Sequence, residues 1–181
     1  MPATTDLLNK PALDFSLPVI GADERLVLSN MLGRVVVLHF WSAECPWSRR
    51  ADLVIVYRYF QWEKSKVSVI GIACNPNETE GEIRYEANAR HIPYPVVADF
   101  AQDITNSYRV QTTPHFVVID PQGLIRYTGA LDDATANNRL PKTIYLDRAV
   151  NAVLRDQLPV PAVTQAYGSA VVRQMPSDQA A

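Results

Sequence analysis

The chain has 181 residues, a formal net charge of −2 and a sequence pI near 5.9. This length favours a single domain, and a composition of 48% hydrophobic and 20% charged residues is ordinary for a globular protein. The near-neutral charge argues against a nucleic-acid partner or a membrane surface. Because the longest apolar run is too short to span a bilayer and residues 1–10 lack a signal-peptide pattern, we expect a cytoplasmic protein.

Alternating strands and helices are predicted along most of the chain. The predicted elements are, in order, a hairpin formed by 13–19 and 25–28, strand 35–41, helix 46–64, strand 67–73, helix 79–91, strand 96–98, helix 103–108, strands 116–119 and 124–127, and helix 142–154. Strands 35–41 and 67–73 are near-continuous apolar runs, which are typical of strands buried on both faces of a parallel sheet. This order predicts an α/β domain with a mostly parallel sheet and late antiparallel strands.

Two of the predicted helices carry specific signals. In the first, Leu53, Tyr57 and Phe60 recur at three- and four-residue spacing. The second begins near Thr79, and Glu82 three residues later predicts a capping box. After Leu158 the chain is rich in proline, so we predict a domain over 1–158 and a C-terminal tail over 159–181.

Cys45 lies where the buried strand 35–41 meets the helix that begins at Pro46. A side chain there faces the crevice at the carboxyl end of the sheet, and the unpaired N–H groups of the helix N-terminus favour an anion. A thiol in this position ionises more easily, and the thiolate is the nucleophile. Cys45 is therefore a candidate reactive cysteine, and the alternative is a buried structural cysteine.

Pro114 comes directly before the predicted strand 116–119. Proline donates no hydrogen bond to a sheet, so it must stand at the start of a strand. By spacing alone an ordinary trans bond is expected, because only about 5–6% of X–Pro bonds in folded proteins are cis.

Together these two motifs resemble the thioredoxin-like superfamily. The sequence FWSAECPWS around Cys45 and the sequence TPHFVVID from Thr113 are similar to its redoxin branch, which contains the AhpC/TSA-type and TlpA/ResA-type proteins. The resemblance covers about 13–158 and implies a three-layer α/β/α fold with a mixed central sheet and an N-terminal β-hairpin extension. It also implies a thiol–disulfide oxidoreductase, in which Cys45 attacks disulfides, a cis Pro114 faces it, and the backbone of Thr113 pairs with an extended substrate.

The chain departs from this family pattern at Ser48, where the second cysteine of the two-cysteine motif is expected. A serine hydroxyl does not release a mixed disulfide, so the usual dithiol cycle is unavailable at this motif. A second thiol must then come from Cys74, from glutathione or from a partner. The expected partners are a disulfide-containing protein or a small thiol such as glutathione. The alternative for Cys74 is a buried bystander.

Two other functions stay open from the sequence. A one-cysteine peroxidase of this superfamily usually has proline seven residues, and threonine or serine three residues, before its cysteine, where this chain has Leu38 and Ser42. It also has an arginine where this chain has Pro114, so only half of that motif is present. The third candidate function is a non-catalytic peptide-binding module, which would use the groove beside Cys45 and Pro114.

Two side chains near Cys45 have predicted supporting roles. His39, six residues before Cys45, is a candidate proton relay, and a strand histidine satisfied by the backbone is the alternative. Trp47 is a candidate wall of a substrate groove, and ordinary packing is the alternative. No cysteine and histidine residues have zinc spacing, so we expect neither a metal nor a cofactor. An oligomer is compatible with the sequence.

Overall fold

Five strands form a mixed central sheet with helices packed on it. The computed structural model describes residues 4–174. The elements are β1 (Ser16–Pro18), β2 (Arg25–Val27), β3 (Val35–Trp41), α1 (Pro46–Lys64), β4 (Val67–Ala73), α2 (Glu80–Ala89), β5 (Val96–Ala98), α3 (Asp103–Ser107), β6 (Thr112–Thr113), β7 (His115–Ile119), β8 (Ile125–Gly129), α4 (Tyr145–Leu154) and β9 (Ser169–Ala170). The strand order of the central sheet is β5-β4-β3-β7-β8.

The central sheet has the predicted mixture of strand directions. β3, β4 and β5 run parallel, whereas β7 is antiparallel to β3, and β8 is antiparallel to β7. Successive side chains of β3 point to opposite faces. Val35 and Val37 pack with residues of α1 and α4, whereas Val36, Leu38 and Phe40 pack with α3 and the N-terminal hairpin. The predicted three-layer α/β/α fold is confirmed.

Helix α1 has its predicted bounds, but the apolar residues that indicated it are not its buried face. Leu53, Tyr57 and Phe60 are 74%, 81% and 65% exposed. The sheet is contacted instead by the stripe that contains Ala51 and Ile55, both fully buried. Helical periodicity identifies a helix, but it does not tell which stripe faces the sheet. No helix within residues 4–174, α1 included, is long and apolar enough to cross a membrane.

The segment after residue 158 folds back onto the domain over its described part. Thr164 donates its N–H to the Thr128 carbonyl at 3.1 Å, and β9 pairs with β6. Val171 is 7% exposed and belongs to the hydrophobic core. Residues 159–174 are therefore part of the packed structure, while Pro176 lies outside the described residues. The boundary at residue 158 stays a prediction.

Candidate functional site

Cys45 is the N-cap residue of α1, four residues after the end of β3. Its sulfur accepts a hydrogen bond from the Ser48 N–H at 3.4 Å, which satisfies one of the unpaired donors of the helix N-terminus. Its thiol donates to the Thr113 carbonyl oxygen at 3.0 Å. Cys45 is only 2% exposed. The start of α1 thus brings together three of the predicted site residues.

Opposing effects act on the pKa of the Cys45 thiol. Burial raises the pKa, because it disfavours the charged thiolate. Polar groups of Ser169 and Thr113, together with the Ser48 N–H, favour the thiolate and outweigh burial, so the pKa lies below its usual range. Since the thiolate is the nucleophilic form, the site increases the reactive fraction of Cys45 near neutral pH.

The edge of β6 lies beside Cys45 and is occupied by another segment of the chain. The Thr113–Pro114 peptide bond is cis, so the trans geometry expected from base rates does not hold here. Thr113 pairs antiparallel with Ser169, the first residue of β9. The backbone that the resemblance assigns to substrate pairing therefore already has a partner. The sequence does not indicate that Ser169 contacts this edge, because nothing local marks a contact between segments so far apart.

Trp47 contacts the same segment that pairs with β6. It is half-buried, and its ring packs edge-to-face on Tyr167, with the ring centroids 4.9 Å apart and an interplanar angle of 82°. Arg50 lies over the same indole, 5.9 Å from its centroid. Trp47 thus packs on the segment that covers Cys45, and its role as the wall of a substrate groove stays a prediction.

Glu78, which sequence reasoning also missed, holds the loop that precedes Cys45. Its side chain is buried and accepts hydrogen bonds from the Ser42 hydroxyl at 2.5 Å, the Ala43 N–H at 3.1 Å and the Glu44 N–H at 3.2 Å. Ser42 Oγ in turn accepts from the Cys45 N–H at 3.2 Å. Glu78 therefore fixes the backbone from which Cys45 projects. No local pattern marks it, since these partners lie more than thirty residues away.

Replacing Glu78 with glutamine is expected to destabilise the fold by about 1–3 kcal/mol, because the amide NH2 then faces backbone N–H donors and leaves one unsatisfied. Chemical denaturation measures the free energy of unfolding. The matched control is Glu80→Gln, at an exposed position of α2, where we expect little change. Equal stability of the two variants would show that the Glu78 contacts do not hold this loop.

His39 lies in a buried polar network beneath the site. Its Nδ1 is 3.4 Å from the Tyr94 hydroxyl, which donates to Asp52 at 3.3 Å. Burial, with a smaller effect of the Arg90 charge, lowers the pKa of His39 to about 3. Among the described residues no hydrogen bond joins His39 to Cys45. The proton-relay role stays a prediction, and the Tyr94 hydroxyl takes the place of the backbone partner considered as its alternative.

Cys74 is fully buried at the end of β4. Its thiol donates to the Trp41 carbonyl at 3.6 Å, and burial, aided by the Glu78 and Asp99 carboxylates, raises its pKa to about 12. Both cysteines are free thiols. This environment favours the buried bystander, and the resolving role stays untested. Within residues 4–174, no three or more His, Cys, Asp or Glu side chains are grouped to hold a metal ion.

A mixed sheet with Cys45 at the start of α1 and a cis proline beside it defines a protein of the thioredoxin-like class. Two solved structures share this fold over nearly the whole chain. An uncharacterized conserved protein from Geobacillus kaustophilus has a TM-score of 0.84 at 24% identity, covering 94% of each chain. A hypothetical protein from Sinorhizobium meliloti 1021 has a TM-score of 0.81 at 24% identity, covering 93% of this chain and 96% of that one.

The chain belongs to the AhpC/TSA family, whose sequence model matches residues 8–128. This confirms the resemblance to the redoxin branch. Among curated relatives, the thiol-disulfide oxidoreductase ResA of Halalkalibacterium halodurans is 24% identical over 102 residues, covering 56% of this chain and 57% of that protein. The chain thus spans little more than half the length of this relative.

Proposed function

We propose that this protein is a thiol–disulfide oxidoreductase with Cys45 as its single nucleophile. The observation that carries the proposal is the Cys45 sulfur at the start of α1, 3.0 Å from the Thr113 carbonyl that precedes cis Pro114. The lowered pKa of Cys45 supports it. The name of the ResA relative, a thiol-disulfide oxidoreductase, points to the same chemistry.

In the first step the Cys45 thiolate attacks one sulfur of a substrate disulfide. A new S–S bond forms between Cys45 and that sulfur as the substrate S–S bond breaks. The second substrate sulfur leaves as a thiolate and takes a proton from water. Thr113 would orient the substrate backbone, and Trp47 would bound the groove beside it.

The mixed disulfide is then resolved by external thiols such as glutathione, because Ser48 has no sulfur and Cys74 is buried with a raised pKa. One external thiolate attacks the Cys45 sulfur, and the substrate leaves as its second thiol. Another external thiolate attacks the sulfur now bound to Cys45, which restores the Cys45 thiolate and forms an external disulfide. Two external thiols thereby supply the two electrons that reduce the substrate.

Replacing Cys45 with alanine is expected to abolish exchange with glutathione disulfide, because no other described thiol is reactive. Intact mass measures the glutathione adduct over time, and Cys74→Ala serves as the matched control. We expect the control to form the adduct at the wild-type rate. Adduct formation in Cys45→Ala would contradict the assignment of the nucleophile.

The single-cysteine mechanism has a separate test in Ser48→Cys. In the wild-type protein the glutathione adduct on Cys45 should persist until an external thiol is added. A cysteine at position 48 begins next to the Cys45 sulfur, since the residue 48 N–H already donates to it at 3.4 Å. This variant should therefore release the glutathione and form an internal disulfide, and a short-lived adduct in the wild type would exclude the mechanism.

The structure adds no support to the two other functions considered from the sequence. At the position where such a peroxidase has its arginine, this chain has Pro114. A peroxidase would need such an arginine to polarise its peroxide. A purely peptide-binding module would not require a thiol with a lowered pKa.

A further inference from the structure

Residues 164–172, which we call the C-terminal strap, cross over Cys45. The strap pairs with β6, Thr113 opposite Ser169, in antiparallel register. Polar groups of Ser169 also reach the Cys45 sulfur and favour its thiolate. Tyr167 packs on Trp47. These contacts leave Cys45 only 2% exposed, although the proposed function requires it to meet a disulfide.

We propose that the strap is an internal substitute for substrate, and that this groove accepts extended peptides with the order aromatic residue, glycine, cysteine. The proposal rests on the proposed function and adds the substrate class to it. Substrate and strap would compete for the same edge of β6. Cys45 would react only when the centre of the strap has lifted.

Three consecutive positions of the strap, Tyr167, Gly168 and Ser169, each carry one element of this specificity. Ser169 lies beside Cys45, and a cysteine there differs by one atom, so its sulfur would meet the nucleophile. Gly168 lies so close to β6 that a Cβ would stand 1.9 Å from the Thr113 carbonyl oxygen and 3.1 Å from the Pro114 ring. Glycine is therefore required at that position. Tyr167 fills the space beside Trp47, which selects an aromatic side chain.

The strap is fastened at both ends and lightly held in between. At its start, Thr164 Oγ1 accepts from the Ala130 N–H at 2.8 Å. At its end, the Val172 N–H donates to Asn75 at 3.0 Å, and Gln102 donates to the Val172 carbonyl at 2.7 Å. Between these anchors the β9–β6 ladder is only two residues long, and the buried Val171 beside the second anchor donates its N–H to the Gln111 carbonyl at 2.9 Å. The centre of the strap can therefore open while its ends stay attached, which is a local rather than a global unfolding.

Gly168→Ala tests whether the strap covers Cys45. Its Cβ cannot fit against Thr113, so the strap centre must lift, and the limiting rate of Cys45 alkylation by iodoacetamide at high pH should rise about tenfold or more. Gly81→Ala is the matched control, because a Cβ there meets nothing closer than 4.0 Å. Peptide mapping separates the two thiols, and unmodified Cys74 reports that the variant is folded.

If Gly168→Ala also exposes Cys74, that variant is no longer folded, and Tyr167→Ala provides a second test. This substitution should open the strap less. It removes the contact with Trp47 and leaves the β6 pairing in place, so we expect a smaller acceleration than for Gly168→Ala. Equal alkylation rates in the wild type, Gly81→Ala and the folded strap variants would overturn the proposal, whatever the protein does with disulfides.

Two peptides test the substrate class. Acetyl-Tyr-Gly-Cys-Ala-amide and acetyl-Tyr-Ala-Cys-Ala-amide, each with its cysteine linked to thionitrobenzoate, differ only in the residue that would face Thr113. In the Tyr167→Ala protein the glycine peptide should form the mixed disulfide with Cys45 about tenfold faster or more, whereas free cysteine should not distinguish them. Equal rates with the protein would overturn the proposed specificity. If alkylation accelerates but neither peptide reacts, the covering of Cys45 is supported and the proposed function is contradicted.

Discussion

Replacing Arg90 with methionine is expected to destabilise the protein by about 3–5 kcal/mol, because it leaves the buried Asp52 carboxylate without its partner. Arg90 Nη1 donates to Asp52 at 3.0 Å, and the two side chains are 7% and 2% exposed. The guanidinium also lies over the Trp41 ring, 4.9 Å from its centroid, and donates to the Ala43 carbonyl. The loss should therefore include contacts that support the loop before Cys45.

Urea denaturation measures this change, and Arg49→Met is the matched control. Arg49 pairs with Glu86, as Arg90 does, but its side chain is 62% exposed, so we expect a loss of less than about 1 kcal/mol. Adding Asp52→Asn to Arg90→Met should recover part of the stability, because the amide carries no buried charge. If the double variant is as unstable as the sum of the two single variants, the uncompensated charge is not the cause.

Lowering the pH from about 6.5 to 4.5 is expected to reduce the free energy of unfolding for each of two buried histidines, with a slope that rises from about 0.7 to about 1.4 kcal/mol per pH unit. Burial lowers the pKa of His39 to about 3, with a contribution from the Arg90 charge, and lowers that of His115 to about 4. In the unfolded chain both histidines titrate near about 6.5. As the pH falls through this value the unfolded state binds protons that the folded state does not, so stability is lost.

Single substitutions isolate this effect. Burial raises the pKa of Asp52 and Asp99, so the folded state takes up protons there first and offsets part of the loss. Comparing His39→Gln or His115→Gln with the wild type removes one histidine from the slope and leaves these carboxyls in place. An unchanged slope in both buried-site variants would show that these histidines are not held neutral.

Most of the fold was predictable because its signals are local. The apolar run of β3 and the proline after Cys45 set the strand–helix junction, and α1 spans its predicted residues. The capping box of Thr79 and Glu82 is present, with both of its reciprocal hydrogen bonds. Each of these features depends on residues a few positions apart, whose geometry the backbone itself fixes.

The candidate site was predictable only in part. The sequence indicated Cys45. The structure places its sulfur within hydrogen-bonding distance of the Ser48 N–H at the start of α1 and of the Thr113 carbonyl in β6. The sequence did not indicate Glu78, the packing of the strap over Cys45, or the exposure of Leu53 to solvent. Periodicity and local motifs predict helices and strands, but they do not predict which distant segments will be in contact.

The sequence by itself thus determined the order of the helices and of the strands of the central sheet, and the position of Cys45 at a helix N-terminus. Only the tertiary structure decided what surrounds Cys45. Ser169 and Glu78 reach the Cys45 loop because residues 159–174 pack back on the sheet and the loop after β4 turns toward it. Such contacts depend on the packing of the whole chain, in which burial of Val171 and satisfaction of buried backbone groups choose one arrangement among many.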